Sequence, residues 1–222
     1  MPEGDISLFD ALSTQRAIRS YKHEPVPRDV LAKIIEYATK APSGGNSQPW
    51  AFIVVDDREK IRALGDIARV QFAAMYENAM KNVQPGDPPP LPRLKLMVED
   101  FDNIPAIVYP CLVKPERNPT GAGMHSSIYP AVQNLLLAAR GFGVGAAFTT
   151  MTLNDLPKVR EILSLPENIE PLVMVPMGYP DKERYGKTTR RPWQEVTHFN
   201  SWEGDKGNSS VPTHRMSHGP TS

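Results

Sequence analysis

The sequence predicts a layered α/β sandwich of the α+β class, and three observations lead there. Several segments carry apolar residues at helical spacing, four or five short apolar runs have the length of strands, and helices accumulate near the N-terminus before the strands are complete. The last feature speaks against a simple doubly wound βαβ series.

The elements follow in order. A first helix is expected from Ile6 to about Thr14, with Ile6, Phe9 and Leu12 in one narrow stripe and Asp5 or Ser7 as cap. Glu24-Pro25-Val26-Pro27 is extended, because residues before proline avoid the helical region. Asp29 is a good N-cap for a second helix carrying Leu31, Ile34, Ile35 and Ala38 on one face, which stops before Pro42. Ser43 to Trp50 has no periodicity and is a loop, and Ala51-Phe52-Ile53-Val54-Val55 is a buried strand. Asp57 to about Val83 is helical in pattern. Pro85, Pro88, Pro89, Pro90 and Pro92 then make Gln84 to Pro92 a surface loop or lid segment. Ile104 to Val113 is a second strand interrupted by Pro105 and Pro110. A long apolar helix runs from Ser127 to Arg140, with Val132, Leu135, Leu136 and Ala139 in register. Gly141 to Gly145 ends it, and Ala146 to Thr150 starts another short strand. Leu156 to Leu163 is a helix and Leu172 to Met177 the last strand. After His198 the composition turns polar and small, which predicts an extended or frayed tail.

Composition narrows the function. The 222 residues hold 25 Lys+Arg and 25 Asp+Glu, so the net charge is zero, which argues against a dedicated nucleic-acid binder. Mean hydropathy is −0.38 and no apolar run approaches the ~18 residues of a membrane span. The first five residues are acidic and polar, unlike a secretory signal. One cysteine, Cys111, excludes an internal disulfide framework, and a cytoplasmic protein is expected. Twenty-three prolines predict long loops.

Phosphate-loop, zinc-protease, Cys-x-x-Cys and Gly-x-Ser-x-Gly patterns are absent from the sequence. Gly141-Phe142-Gly143-Val144-Gly145 closes a helix and opens a strand, the reverse of a dinucleotide fingerprint. His214 and His218 fall in the polar tail and suggest no metal site. Cys111 sits in an apolar strand and reads as a core residue. Three signals are positive. Arg16 and Arg19 lie close together beside Ser20, and paired guanidinium forks suit a phosphate, although a solvated basic turn would look the same. Arg190-Arg191-Pro192-Trp193 repeats that chemistry far along the chain, as a second arm or as an unrelated surface cluster. In Ala41 to Trp50, two glycines permit close approach to a flat ligand, and Ser43, Asn46 and Gln48 both donate and accept hydrogen bonds. A turn-rich connection is the bland alternative.

These stretches resemble the FMN-dependent nitroreductase family. Gln15-Arg16-Ala17-Ile18-Arg19-Ser20-Tyr21 is similar to its N-terminal phosphate motif, and Ala41-Pro42-Ser43-Gly44-Gly45-Asn46-Ser47-Gln48-Pro49-Trp50 to its Ala-Pro-Ser-x-x-Asn-x-Gln-Pro-Trp loop. Gln133 to Ala139 with Gly143-Val144-Gly145 resembles its core helix, and Met177-Gly178-Tyr179-Pro180 with Arg190-Arg191-Pro192 its last strand and second phosphate arm. The resemblance runs in family order from about Leu8 to Phe199. Gln15 and Ala17 depart from the arginine and serine usual at their positions.

The resemblance implies an intertwined homodimer with FMN at the interface. Residues 1–200 would be the FMN-binding domain and residues 201–222 a polar tail. Arg16 and Arg19, with the backbone at Ala17 and Ile18, would take the FMN phosphate and ribityl region, and Arg190 and Arg191 would close on the same phosphate. Pro42, Ser43, Gly44 and Asn46 would lie along the isoalloxazine from the partner subunit, with Gln48 supporting the loop. Thr149 and Thr150 fall at a flavin-contacting strand end. No catalytic side chain is implied, because flavin carries the redox chemistry. Hydride would pass from NAD(P)H to the flavin, and a small electron-poor acceptor, a nitroaromatic or quinone, would then bind the same face. Neither nucleic acid nor membrane is expected as a partner. Within the family, reductive dehalogenation or flavin-consuming chemistry would depend on a lid drawn from about Gln71 to Leu96. A flavin carrier without turnover would use the same residues. A serine hydrolase built on Ser43 or Ser47 lacks a supporting histidine.

Overall fold

The structure is a computed structural model that describes residues 6–115 and 122–203. By its internal contacts the chain divides into a unit of residues 1–187 and a second unit from residue 188. In the first unit the helices are α1 (Leu8–Thr14), α2 (Arg28–Ala38), α3 (Arg58–Met80), α4 (Pro92–Glu99), α5 (Ala122–Gly141) and α6 (Leu156–Leu163). The strands are β1 (Trp50–Val55), β2 (Ala106–Val113), β3 (Gly145–Ala146), β4 (Ile169–Pro171) and β5 (Val175–Gly178). All pairings are antiparallel, in the order β1-β2-β5-β3, with β4 also on β2.

Period-2 alternation along β2 explains why helices cover both faces of the sheet. Ile107, Tyr109 and Cys111 point into one cluster with Ile61, Leu64 and Ala68 of α3, Met97 and Val98 of α4, and Val159 of α6. Ala106, Val108 and Leu112 point into the other, with Val30, Leu31 and Ile34 of α2 and Val132, Leu135 and Leu136 of α5. A strand buried on both faces must read as a continuous apolar run, which is how β2 reads. Each fully buried Ile or Leu contributes about 1.5–3 kcal/mol. Pro110 is tolerated in this central strand because β2 changes partner beside it. Residues 106–108 pair with β5 and residues 111–113 with β4. Val113 N–H reaches Pro49 O toward β1, so Pro110 faces the other way, where its carbonyl accepts from Leu172 at 3.1 Å.

The strand expected over Leu172–Met177 begins only at Val175, as β5, and a separate short strand that was not expected, β4, precedes it at Ile169–Pro171. The strand expected over Ala146–Thr150 is also shorter: it ends at Ala146, Thr149 forms an isolated bridge with Met174, and Thr150 opens a 3-10 turn at Met151–Asp155. Asp29 does not cap α2. The cap position is Pro27, without a side-chain bond, and Asp29 lies in the first turn, where a carboxylate favours the helix dipole. Ser7 caps α1 by accepting from Asp10 N–H, and Asp5, the other expected cap, lies outside the described residues. Of that helix only Ala11 is buried, and Leu8, Phe9 and Leu12 are 64%, 80% and 48% exposed. Proline content hides α4, which starts at Pro92, a residue suited to a first helical position. α5 begins before Ser127 and accommodates Pro130. The second unit has a 3-10 turn at Trp193–Glu195 and a stacked His198–Trp202 pair at 4.2 Å. Most of the expected tail, residues 204–222, lies outside the described residues.

Candidate active site

The arginine turn is built by residues far apart in sequence. Ile18 is fully buried, its N–H donates to Ala146 O of β3 at 3.1 Å, and its carbonyl accepts from the Tyr21 hydroxyl. Both backbone groups of Ile18 therefore serve the fold. This approach needs glycine at two places. A Cβ on Gly145 would stand 2.7 Å from Ile18 Cγ2, and one on Gly178 would stand 2.8 Å from Tyr21 Cβ. Residues 20–22 then zip against 179–182: Lys22 N–H donates to Tyr179 O at 2.8 Å, Asp181 N–H to Ser20 O at 3.1 Å and Lys182 N–H to Ser20 Oγ at 3.4 Å. Glu183 accepts through one carboxylate oxygen from the backbone N–H of Arg19 and, at 3.0 Å, of Ser20.

Electrostatics in this corner favour an anion. Among the described residues neither the Arg16 nor the Arg19 side chain forms an ion pair, and Arg19 Nε is buried without a hydrogen bond. A buried guanidinium nitrogen without an acceptor fits a missing anionic oxygen. Gly186 runs beside Arg16, with its Cβ direction 3.9 Å from Arg16 Nη1. Next to it Arg140 lies over the Tyr185 ring at 3.9 Å, and its Nε donates to Thr14 Oγ1 at 3.4 Å. The Tyr185 hydroxyl donates to Val144 O at 2.7 Å, and burial pushes its pKa up to about 12. Burial also holds the Tyr21 phenol well above its usual range, opposed by Arg19 and reinforced by Glu183 and Tyr185.

The glycine-containing loop has a different anchor. Ser43 Oγ accepts from Gln48 N–H at 3.0 Å, and Gly44 N–H donates at 3.3 Å to the buried Ser127 hydroxyl of α5. Asn46 and Gln48 both have left-handed backbones, φ 53° and 47°, which is uncommon outside glycine and concentrates at functional sites. Pro42 and residues 44–48 are exposed, whereas Ser43 is half-buried. Ser127 and Arg140 stand thirteen residues apart on α5, which is about 20 Å of helix. Within one chain, then, the loop and the arginine turn are fixed toward opposite ends of α5. Thr149 is half-buried, with its Oγ1 accepting from Met151 N–H at 3.3 Å, and Thr150 is exposed. Arg190 and Arg191 are exposed in the second unit, where Arg190 Nη1 donates to Thr189 O at 2.8 Å.

Ser127, Arg140, Glu183 and Tyr185 escaped the sequence reading. Ser127 had a faint signal as a hydroxyl on the apolar side of a helix, and Arg140 as a cation at a helix C-terminus. Glu183 and Tyr185 had none, because only the fold brings them to the turn. Cys111 is buried as expected, donates to Tyr109 O at 3.2 Å, and has its thiol pushed up to about 12 by burial. No group of three or more metal-ligating side chains occurs among the described residues, and no helix there is long and apolar enough to cross a membrane.

Helices on both faces of an antiparallel sheet, with an anion-seeking arginine turn zipped to its edge, define an α+β protein of nitroreductase-like fold. Solved structures agree. A crystal structure of oxidized iodotyrosine deiodinase bound to FMN and 3-iodo-L-tyrosine superposes with TM-score 0.69 at 24% identity, over 88% of this chain and 100% of that one. A nitroreductase-like family protein of Bacillus cereus gives 0.65 at 22%, over 87% and 95%. The Nitroreductase family model matches residues 12–179, and the chain belongs to that family. An Archaeoglobus fulgidus protein provisionally named NADH dehydrogenase/NAD(P)H nitroreductase is 30% identical over 175 residues, 77% of this chain and 84% of that protein. Iodotyrosine deiodinase 1 of Rattus norvegicus is 29% identical over 181 residues, 78% of this chain and 62% of the deiodinase.

Proposed function

We propose that the protein is a cytoplasmic flavin oxidoreductase that binds FMN between two copies of the chain, oxidises NAD(P)H and reduces a small electron-poor acceptor such as a nitroaromatic or quinone. The observation that carries this is the buried, unpartnered Nε of Arg19 beside an unpaired Arg16. In this reading both guanidinium groups grip the phosphate, the backbone of Ala17 and Ile18 shapes the turn beside it, and Arg190 and Arg191 are the candidate second phosphate arm. Pro42, Ser43, Gly44 and Asn46 line the isoalloxazine, Gln48 braces the loop, and Thr149 and Thr150 stand at its edge. FMN, once bound, supplies the redox chemistry. The chain binds it, orients it and offers hydrogen bonds to its polar edge, so no catalytic acid–base pair is required. An intertwined homodimer is supported by the separation along α5, since one chain holds loop and turn apart, and by the exposed Leu8, Phe9 and Leu12 of α1. Residues 71–96, the second half of α3 with the proline-rich connector and the start of α4, form the lid over the acceptor.

The deiodinase relatives favour a second reading, reductive dehalogenation of a haloaromatic, in which the carbon–halogen bond is replaced by C–H and halide leaves. The visible spectrum of the purified protein and the mass of the cofactor released on denaturation come first: a colourless chain that takes up no FMN and runs as a monomer ends both readings. Anaerobic bleaching by NADH or NADPH separates an enzyme from a carrier, which stays yellow. Turnover of a nitroaromatic against a halotyrosine then separates the two reactions.

A further inference from the structure

Among the described residues Glu183 is the one carboxylate that accepts hydrogen bonds from the arginine turn, and its placement is specific. Its side chain is 11% exposed, and one oxygen takes the consecutive N–H groups of Arg19 and Ser20. Two adjacent backbone donors aimed at one anionic oxygen form a nest, a concavity that holds the local backbone in one shape when filled. The other oxygen is buried without a hydrogen bond, with Arg93 Nε of α4 at 3.7 Å. A half-satisfied buried carboxylate is costly, so its retention here calls for a return. The turn it fixes presents both guanidinium groups, and the segment it belongs to, residues 179–186, passes Arg16 at Gly186.

Resting on the FMN reading above, we propose that Glu183 is a positioning residue for the flavin phosphate: it fills the nest of Arg19 and Ser20 and thereby holds the arginine turn in the shape that grips the dianion. The brace acts through hydrogen bonding, since its negative charge by itself opposes a phosphate nearby. Glu183→Gln keeps an oxygen that accepts both amides and removes the charge, whereas Glu183→Ala empties the nest. Affinities of the apoprotein for FMN and for riboflavin, which lacks the phosphate, are measured by flavin fluorescence quenching. Expected is a loss of about 10- to 100-fold in FMN affinity for Glu183→Ala, with riboflavin changed much less, the scale of one hydrogen-bonded charged contact. Glu183→Gln is expected to bind FMN at least as tightly as the unsubstituted protein. Equal loss of both flavins in Glu183→Ala, no loss at all, or a Glu183→Gln protein no better than Glu183→Ala overturns the role. An unsubstituted protein that binds riboflavin as well as FMN overturns the phosphate reading itself, and this role with it.

Discussion

Replacing Gly145 by alanine tests whether the arginine turn is set by close packing on β3. The new Cβ would meet Ile18 Cγ2 at 2.7 Å, Ile18 Cβ at 2.9 Å and Gly178 O at 3.2 Å. Ile18 has no room to yield, because it is fully buried and its amide is bound to Ala146 O. Overpacking of this kind costs about 1–3 kcal/mol. The unfolding entropy of a 222-residue chain is about 0.5 kcal/mol per kelvin, so a cost of ~2 kcal/mol lowers Tm by about 4 °C. Ile18→Ala alone removes a buried side chain and costs about 2–5 kcal/mol. In the double variant the shortest clash is gone, so the combined loss is expected to fall short of the sum by about 1 kcal/mol or more. Urea unfolding of the two single variants and the double variant measures this. A Gly145→Ala protein within about 0.5 kcal/mol of the parent, with losses that simply add, refutes the reasoning.

Ser127→Ala removes the acceptor of Gly44 N–H, for a stability change of about 1 kcal/mol or less, while amide exchange in residues 44–48 accelerates. Unchanged exchange there would mean the α5 hydroxyl does not hold the loop. Cys111, with its thiol pushed up to about 12, is expected to resist iodoacetamide at pH 8 in the folded protein and to react fully in denaturant. Alkylation of the native chain at the rate of a free cysteine would contradict its burial. The phenols of Tyr21, Tyr109 and Tyr185 are all raised from 10.0, chiefly by burial. Above pH 10 the unfolded chain loses those protons and the folded chain keeps them, so unfolding free energy falls with pH, by up to about 1.4 kcal/mol per unit for each phenol. Denaturation midpoints flat between pH 9 and pH 11 would refute it.

Legibility in the sequence followed the physical range of each signal. α3, α6 and the continuous apolar β2 were readable because periodicity and capping act within a few residues: Asp57 and Asp155 cap α3 and α6 through their own carboxylates. The loop at Ser43–Gln48 was readable from its residue types. The break between β4 and β5 was not, since it involves Pro110 of β2 and the isolated bridge at Thr149, both distant in sequence. α4 was hidden by the prolines before it, one of which starts it. The stripe of α1 was read correctly as apolar, yet it faces solvent in the single chain. The arginines were visible, but the residues that shape their turn, Gly145, Gly178 and Glu183, gain meaning only through contacts across the whole chain.

The zipper between residues 20–22 and 179–183 sets a timetable for biosynthesis. Glu183 leaves the ribosome 164 residues after Arg19, about 8 to 33 s at ordinary elongation rates. Until then the nascent N-terminal turn has no template. On the proposed flavin reading, a chain halted before residue 179 would stay colourless however much of its helical scaffold had already formed.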